Sequence, residues 1–395
     1  MSEAEMMQRD SFIEGMPFFT DEHARLAAGV SDFAAREVEP LASEEIEDAD
    51  AHFRALLSLL AQADLLDYAV ARGDGTPLDA RSLCLVRESL AYHSPVADLA
   101  FVMQGLGTYA AALAAPEHVR DFWLARARSG RSIAAFALTE PEAGSDVSNV
   151  QTAAAREGDS YVITGRKCFI SNAGLADFYT VFARTGTRAD GRAELSAFIV
   201  GARMPGFRVR ARTPLSADHP IGEIEFDGVR VPAEDRVGEE GQGFRLAMQT
   251  MDMFRASVGA AACGMARRAL DEAVSHAKAR RQFGVTLAMH QLVQEKLAVM
   301  QTELDAARLL VYRAAHLRDT RPGDPRLTRL ASEAKLYATE SAQRVVDEAV
   351  QIHGGYGLVY GHPVERLYRD VRALRIYEGT SEIQKLVIAR EMLKE

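Results

Sequence analysis

The sequence predicts an α+β fold in which helical regions flank a β-rich middle. Three observations lead there. Residues 20–128 are dominated by Ala, Leu, Arg and Glu. From about Ser132, short runs of β-branched and aromatic residues alternate with turn signals. After Pro232 no proline occurs until Pro322, while apolar residues recur at the 4,3 spacing of amphipathic helices.

The chain has 395 residues, 48% of them apolar and 26% charged, the make-up of a globular protein rather than a disordered one. Such a length accommodates two or three domains. Residues 1–131 read as an N-terminal α-helical domain, 132–240 as a middle β domain and 241–395 as a C-terminal helical bundle. A formal charge of −10 argues against wholesale binding to nucleic acid or anionic lipid, whose phosphates need clustered Lys and Arg. Cys84, Cys168 and Cys263 lie far apart, so neither a disulfide framework nor a metal site is suggested. The N-terminal stretch is acidic and lacks an apolar core segment, and a cytoplasmic location is expected.

In the first region, Thr20-Asp21-Glu22 and Thr76-Pro77-Leu78-Asp79 look like helix starts. Leu99 to Ala115 is an uncharged run of 17 residues, short of a roughly 20-residue membrane span, and reads as a buried core helix. Within it, Gly105-Leu-Gly107-Thr-Tyr-Ala110 fits a dinucleotide fingerprint. The Ala-rich helical flanks favour close helix packing instead. In the middle region, YVIT (161–164), FYTVFA (178–183), LSAFIV (195–200) and GEIEFDGVRV (222–231) read as strands. Ile224 and Phe226 alternate there with Glu223, Glu225 and Asp227, the pattern of a half-buried strand. Stripes from Ala247 to Met265 and from Val293 to Ala314 predict long packed helices, with a further helix from about Leu327 to Val350.

Five segments carry possible chemistry. FALTEPEAGSDVSN (136–149) can present backbone N–H groups and the Thr139 or Ser145 hydroxyl to a phosphate or heterocycle, or be an ordinary turn. Gly165 to Asn172 reads as a strand followed by a turn. Ala279-Arg280-Arg281-Gln282-Phe283-Gly284 places two guanidinium groups, an amide and an aromatic at a helix end. This suits a pyrophosphate and an adenine-like ring, or is a solvated basic terminus. Gln351-Ile-His-Gly-Gly355-Tyr-Gly357 follows a helix with three glycines, one of which a helix cap would explain. Finally, Glu378 lies between apolar Ile376-Tyr377 and small Gly379-Thr380-Ser381. An apolar setting would raise its pKa and make it a base near neutral pH. Beside a cap formed by Thr380 or Ser381 it could equally be exposed.

Taken in this order, LTEPEAGSD, RRQFG followed by HQ, QIHGGYG and YEGTSEIQ resemble the acyl-CoA dehydrogenase family over nearly the whole chain. The resemblance implies a helical N-terminal domain, a middle β-barrel or sandwich, a C-terminal four-helix bundle, and FAD as cofactor. By the same resemblance, Leu138, Thr139, Phe169 and Ser171 match positions holding the flavin ring. Arg280, Phe283 and Gln291 match a segment reaching FAD in a neighbouring subunit, and Gln351 and Gly355 match its pyrophosphate contacts. Thr380 and Glu382 match contacts near the adenosine end. Glu378 matches the catalytic base, while Ser145, Asp252, Arg255, Tyr377 and Gly379 match positions near the acyl-CoA. Some members place the base one residue before the matched Arg, and here that position is Phe254, which cannot accept a proton.

The implied reaction is α,β-dehydrogenation of an acyl-CoA thioester, with Glu378 as base, hydride going to flavin N5, and electrons passing to an electron-transfer flavoprotein. A homotetramer is implied, without membrane insertion. Alternatives are a flavin oxidase or monooxygenase on the same fold, which usually lacks the Glu of YEGT, and a non-catalytic acyl-CoA-binding scaffold. An uncharged acyl group is expected, because Ser94 to Ala115 holds no Arg or Lys and its only charge, Asp98, would repel a carboxylate. One departure stands out: members commonly carry a Gly-x-Arg-x-Ser-type loop before EFDGVRVP, where this chain has TPLSADHPIG over residues 213–222.

Overall fold

Helix α1 (Asp21–Phe33) begins where a capping box forms, the Thr20 side chain and His23 each satisfying backbone groups of the first turn. In the computed structural model, which describes residues 12–43, 48–189 and 191–394, a π-helical turn (Ala34–Val38) and the short α2 (Glu39–Ser43) follow. Helix α3 (Ala49–Gln62) starts at Asp48, whose carboxylate accepts from two backbone N–H groups. Helix α4 (Ala80–His93) is capped by Asp79, which accepts from Ser82 N at 2.6 Å. Both anticipated helix starts are therefore real caps.

Helix α5 (Pro95–Ala114) is, among the described residues, the one helix long and apolar enough to cross a membrane, and most of it is buried. Its Gly105 and Gly107 are packing residues rather than a nucleotide fingerprint. A Cβ on Gly105 would stand 2.6 Å from the Ala69 carbonyl oxygen and the Phe254 ring, and one on Gly107 would stand 2.6 Å from the Ala134 Cβ. Helix α6 (Glu117–Arg128) completes the run.

The chain then turns to strands: β1 (Ala134–Ala137), β2 (Ala153–Glu157), β3 (Ser160–Ser171), β4 (Phe178–Thr187), β5 (Ala193–Gly201), β6 (Phe207–Arg212), β7 (Ile221–Pro232) and β8 (Arg236–Val237). They form one mixed sheet in the order β6-β7-β3-β2-β4-β5-β8, with β1 parallel to β4. In β7, Ile224 and Phe226 are buried while Asp227 is exposed, as the alternation predicts. Strand β4 is buried along its first six residues, and Trp123 stacks on its Phe178 with ring centroids 4.3 Å apart.

Helix α7 (Gly243–Ala279) is followed by a small hairpin of β9 (Arg281–Gln282) and β10 (Val285–Thr286), and then by α8 (Gln291–Thr320). Next come α9 (Leu327–His353), a 3-10 turn (Gly354–Leu358), α10 (Pro363–Ala373) and α11 (Ser381–Met392). Helix α9 runs three residues beyond the expected end and packs against α8, α10 and α11. Its glycine follows the helix as a C-cap with a positive φ, so the first of the three glycines is a cap after all.

Among the described residues the chain falls into two units, neither continuous in sequence. One takes in the residues up to 43 with 79–98 and 255–394; the other takes in 48–78 and 99–254. The sheet lies wholly in the second, with a core that includes Val70, Leu124, Ala134, Leu138, Phe182, Ile199 and Leu246. Helices α8 to α11 lie wholly in the first.

Candidate active site

In the helical unit, the segment between α10 and α11 carries Glu378 in the left-handed region, φ 52°. For a residue with a Cβ this conformation costs on the order of 1–3 kcal/mol and persists only where its surroundings hold it. Helix α11 starts three residues later, capped by Thr380, whose Oγ1 accepts from Ile383 N at 3.3 Å. Ser381 donates to Glu340 at 2.5 Å, and Glu340 is paired with Arg375 at 2.8 Å. The question left open by the sequence, sheltered base or exposed neighbour of a cap, is answered on both counts: Thr380 caps, and Glu378 is sheltered. The residue as a whole is half-buried, but its Oε2 is shut off from solvent and has no hydrogen-bond partner among the described residues.

Burial pushes the Glu378 carboxyl up from 4.5 to about 7. The Arg87, Lys335 and Arg255 cations work against this shift, and Asp98 works with it. Arg87 and Asp98 are themselves buried and joined through two hydrogen bonds of 2.8 Å each, and Arg87 also donates to Ser257 at 2.9 Å. This corrects one expectation: Asp98 is not a bare charge that would repel a carboxylate, because Arg87 neutralises it. Arg255 is buried in α7, within hydrogen-bonding reach of Ser332 at 3.4 Å. Asp252 and Arg255 lie in the third and fourth turns of α7. Tyr377 is half-buried, its phenol pushed far up by burial.

The other matched residues of this unit lie at its surface. Arg280, Gln291, Gln351, Gly355 and Glu382 are exposed. Phe283 is 94% exposed and also left-handed, φ 53°, at the tip of the β9–β10 hairpin. Gly354 and Gly355 have open space where a Cβ would stand, so their backbone is approachable, whereas a Cβ on Gly357 would meet the Val350 oxygen at 2.7 Å.

In the β-containing unit, Leu138 and Thr139 are tied to β3, the strand that carries Phe169 and Ser171, at Lys167 and Cys168. The Thr139 carbonyl accepts from Cys168 N at 3.1 Å, and the Leu138 carbonyl accepts from Lys167 Nζ at 2.9 Å. A register shift between Lys167 and Ile170 bulges β3 against β7 and turns Phe169 outward, φ 53° and 59% exposed. Ser145 is exposed on the loop before β2.

Two functional supports escaped the sequence. Lys167 is fully buried and binds Glu140 at 2.8 Å, while the Glu140 carboxylate also accepts from Gln151 N at 2.6 Å and Thr152 N at 3.0 Å. Burial raises the Glu140 carboxyl, but Lys167 and these donors outweigh it and the net shift is downward. The pair pins the 138–152 loop to β3. The second support is His219, from the atypical 213–222 loop, which shares a 2.8 Å hydrogen bond with Ser171 Oγ; burial lowers this imidazole to about 4.

Comparison with known proteins places this arrangement in context. The chain matches the acyl-CoA dehydrogenase N-terminal domain over residues 20–131, the middle domain over 135–229 and the C-terminal domain over 241–393. It is 38% identical to a cyclohexane-1-carbonyl-CoA dehydrogenase of Geobacter metallireducens, over 96% of this chain and 99% of that protein. It is 36% identical to a subunit of the caffeyl-CoA reductase-Etf complex of Acetobacterium woodii, over 95% of this chain and 100% of the relative. Among solved structures, butyryl-CoA dehydrogenase from Megasphaera elsdenii superposes with a TM-score of 0.86 at 35% identity, covering 95% of this chain and 99% of that one.

Proposed function

Because the chain belongs to the acyl-CoA dehydrogenase family, we propose that it catalyses FAD-dependent α,β-dehydrogenation of an acyl-CoA thioester with an uncharged acyl group, Glu378 being the base. The observation that carries this reading is the enclosed, unpartnered Oε2 of Glu378 on a carboxyl raised to about 7. A carboxylate so placed is half ionised near neutral pH, has the lone pairs of Oε2 unclaimed among the described residues, and is basic enough to take a weakly acidic α-proton.

FAD is the cofactor of the family, and the residues here fit it. Phe169 offers a solvent-facing ring from the bulged strand, Asn172 Oδ1 is buried without a partner among the described residues, and Gly354 and Gly355 leave their backbone open. When bound, FAD supplies the oxidant that takes the hydride from the β-carbon. Leu138, Thr139, Phe169 and Ser171 would hold its ring; Gln351 and Gly355 would hold the pyrophosphate, with Thr380 and Glu382 near the adenosine. Glu378 removes the α-proton, and its own backbone N–H is the donor that would stabilise negative charge growing on the thioester oxygen. Ser145, Asp252, Arg255, Tyr377 and Gly379 are the positions proposed to border the acyl-CoA.

The Geobacter relative, named for a cyclic and uncharged acyl group, supports the neutral substrate class. The Acetobacterium relative, named as part of a reductase-Etf complex, supports an electron-transfer flavoprotein as redox partner. It also supports the reverse reaction, in which the protonated Glu378 would return the α-proton. A homotetramer with one FAD per subunit completes the proposal, Arg280 and Phe283 being offered across the subunit boundary.

The deciding experiment is anaerobic. The purified protein is expected to be yellow, and its flavin band to bleach on addition of a neutral acyl-CoA. A flavin that reacts only with oxygen would point to an oxidase, and a colourless protein to a binding scaffold.

A further inference from the structure

The turn that presents Glu378 needs holding, since Glu378 and Gly379 both have positive φ, 52° and 89°. Two fully buried side chains hold it. Gln384 from α11 donates Nε2 to the Gly379 carbonyl at 2.9 Å and to the Glu378 carbonyl at 3.3 Å. Lys335 from α9 donates Nζ to the same Gly379 carbonyl at 2.8 Å. An amide is enough to pin a carbonyl. An ammonium buried against a neutral acceptor is far more costly, so a charge at this place calls for a reason beyond the hydrogen bond.

We propose that Lys335 is a positioning residue for the base: from α9 its ammonium clasps the Gly379 carbonyl, fixes the turn that presents Glu378, and supplies positive charge that favours the ionised carboxylate. The inference rests on Glu378 being the base. It is separate from the flavin-site and substrate matches, none of which includes Lys335.

The groups around this pair come from several helices. Glu378 feels Arg87 from α4, opposed by Asp98 from α5, together with Arg255 from α7 and Lys335 from α9. Lys335 in turn feels Glu378, Arg255, Glu340 on its own helix and Glu382 on α11. Burial lowers the Lys335 ammonium to about 8, just above the value of about 7 at Glu378. Each charge favours the other, and with both groups charged the base is armed and its turn is clasped.

Two variants separate the clasp from the charge. Lys335→Gln keeps a donor for Gly379 without the charge; Lys335→Met removes both. In the FAD-loaded enzyme, both should move the acidic limb of kcat/KM upward by about one pH unit, a roughly tenfold loss on that limb. Lys335→Gln should regain the wild-type rate at high pH, while Lys335→Met should stay depressed in kcat at every pH. Infrared titration of the Glu378 carboxyl without substrate should show the same upward shift, and it can be made on Lys335→Gln should Lys335→Met fail to fold. An unchanged midpoint in these titrations, with any rate loss matched by loss of FAD, would overturn the proposal. Glu378→Gln serves as the control: if that variant keeps its turnover, the base reading itself fails. If it is inactive while the Lys335 variants titrate like wild type, only the role of Lys335 falls.

Discussion

Arg87 holds Asp98 through two hydrogen bonds, Nε to Oδ1 and Nη2 to Oδ2, each 2.8 Å and both buried. Helix α4 carries the arginine and α5 the aspartate, with Ser94 alone between the two helices, so the pair locks the corner of the chain as well as setting the field at Glu378. Asp98→Asn would leave a buried guanidinium without its counter-charge, a change that costs on the order of 3–5 kcal/mol where a buried pair is broken. Removing the anion also removes an influence that raises the Glu378 pKa, so the carboxyl should fall below about 7. Thermal unfolding should show a lower Tm, and the acidic limb of kcat/KM should move to lower pH. A wild-type limb would mean that this pair does not act on the base.

Glu378 itself should cost the protein stability. Its folded pKa, about 7, is above the 4.5 of the unfolded chain, so it favours the folded state fully below pH 4.5 and loses that contribution as pH rises through 7. Over that interval, at roughly 1.4 kcal/mol per pH unit, the loss is about 3 kcal/mol. Glu378→Gln keeps the shape and never ionises. It should therefore match wild type in stability near pH 4 and exceed it near pH 8, while losing about 10² to 10⁴ in turnover. Equal stability at both pH values would show that the carboxylate is not held in an apolar setting.

Which parts of this could be read in advance follows from the range of each interaction. Thr20 and Asp79 announce their helices because a cap acts within three residues. Ile224 and Phe226 announce a half-buried strand because alternation is likewise local. The glycines of α5 imitate a nucleotide motif, and only the backbone of residue 69 and the side chain of Phe254 explain Gly105. Charges were the hardest to read. Arg87 meets Ser257, 170 residues away, and Lys335 meets Gly379, 44 residues away. Composition says nothing of such partners, so Asp98 passed for a repelling charge and nothing in the sequence singles out Lys335. Glu378 was legible as a candidate from its apolar and small neighbours, but its shelter comes from other helices.

The hairpin after α7 carries a prediction about assembly. A phenylalanine 94% exposed at a left-handed tip, with Arg280 exposed just before it, is suited to a partner surface and a phosphate. Arg280→Ala combined with Phe283→Ala should weaken FAD binding about tenfold or more, the loss of one charge-assisted contact. It should leave Tm of the FAD-free chain nearly unchanged, because neither side chain is part of the core. Sedimentation of the wild-type protein is expected to give a tetramer. A monomer that retains FAD would sink the shared-site reading.

The last prediction concerns the far end of the acyl chain. A substrate with a distal carboxylate needs a cation to receive it, since an uncompensated buried charge costs several kcal/mol. Residues 94–115 offer no lysine or arginine. The nearest cation on the neighbouring helix, Arg87, is already committed to Asp98 and Ser257, so its charge is spent and its donors are directed elsewhere. Neutralisation of Arg87 by Asp98, not repulsion by Asp98, is what disfavours a distal carboxylate here. Arg255 is the remaining buried guanidinium near Glu378, within hydrogen-bonding reach of Ser332. Neutral straight, branched and cyclic acyl-CoAs should therefore be turned over in preference to glutaryl-CoA, without release of CO₂. Faster turnover of glutaryl-CoA with CO₂ release, abolished by Arg255→Met, would overturn the neutral-substrate reading and assign that carboxylate to Arg255.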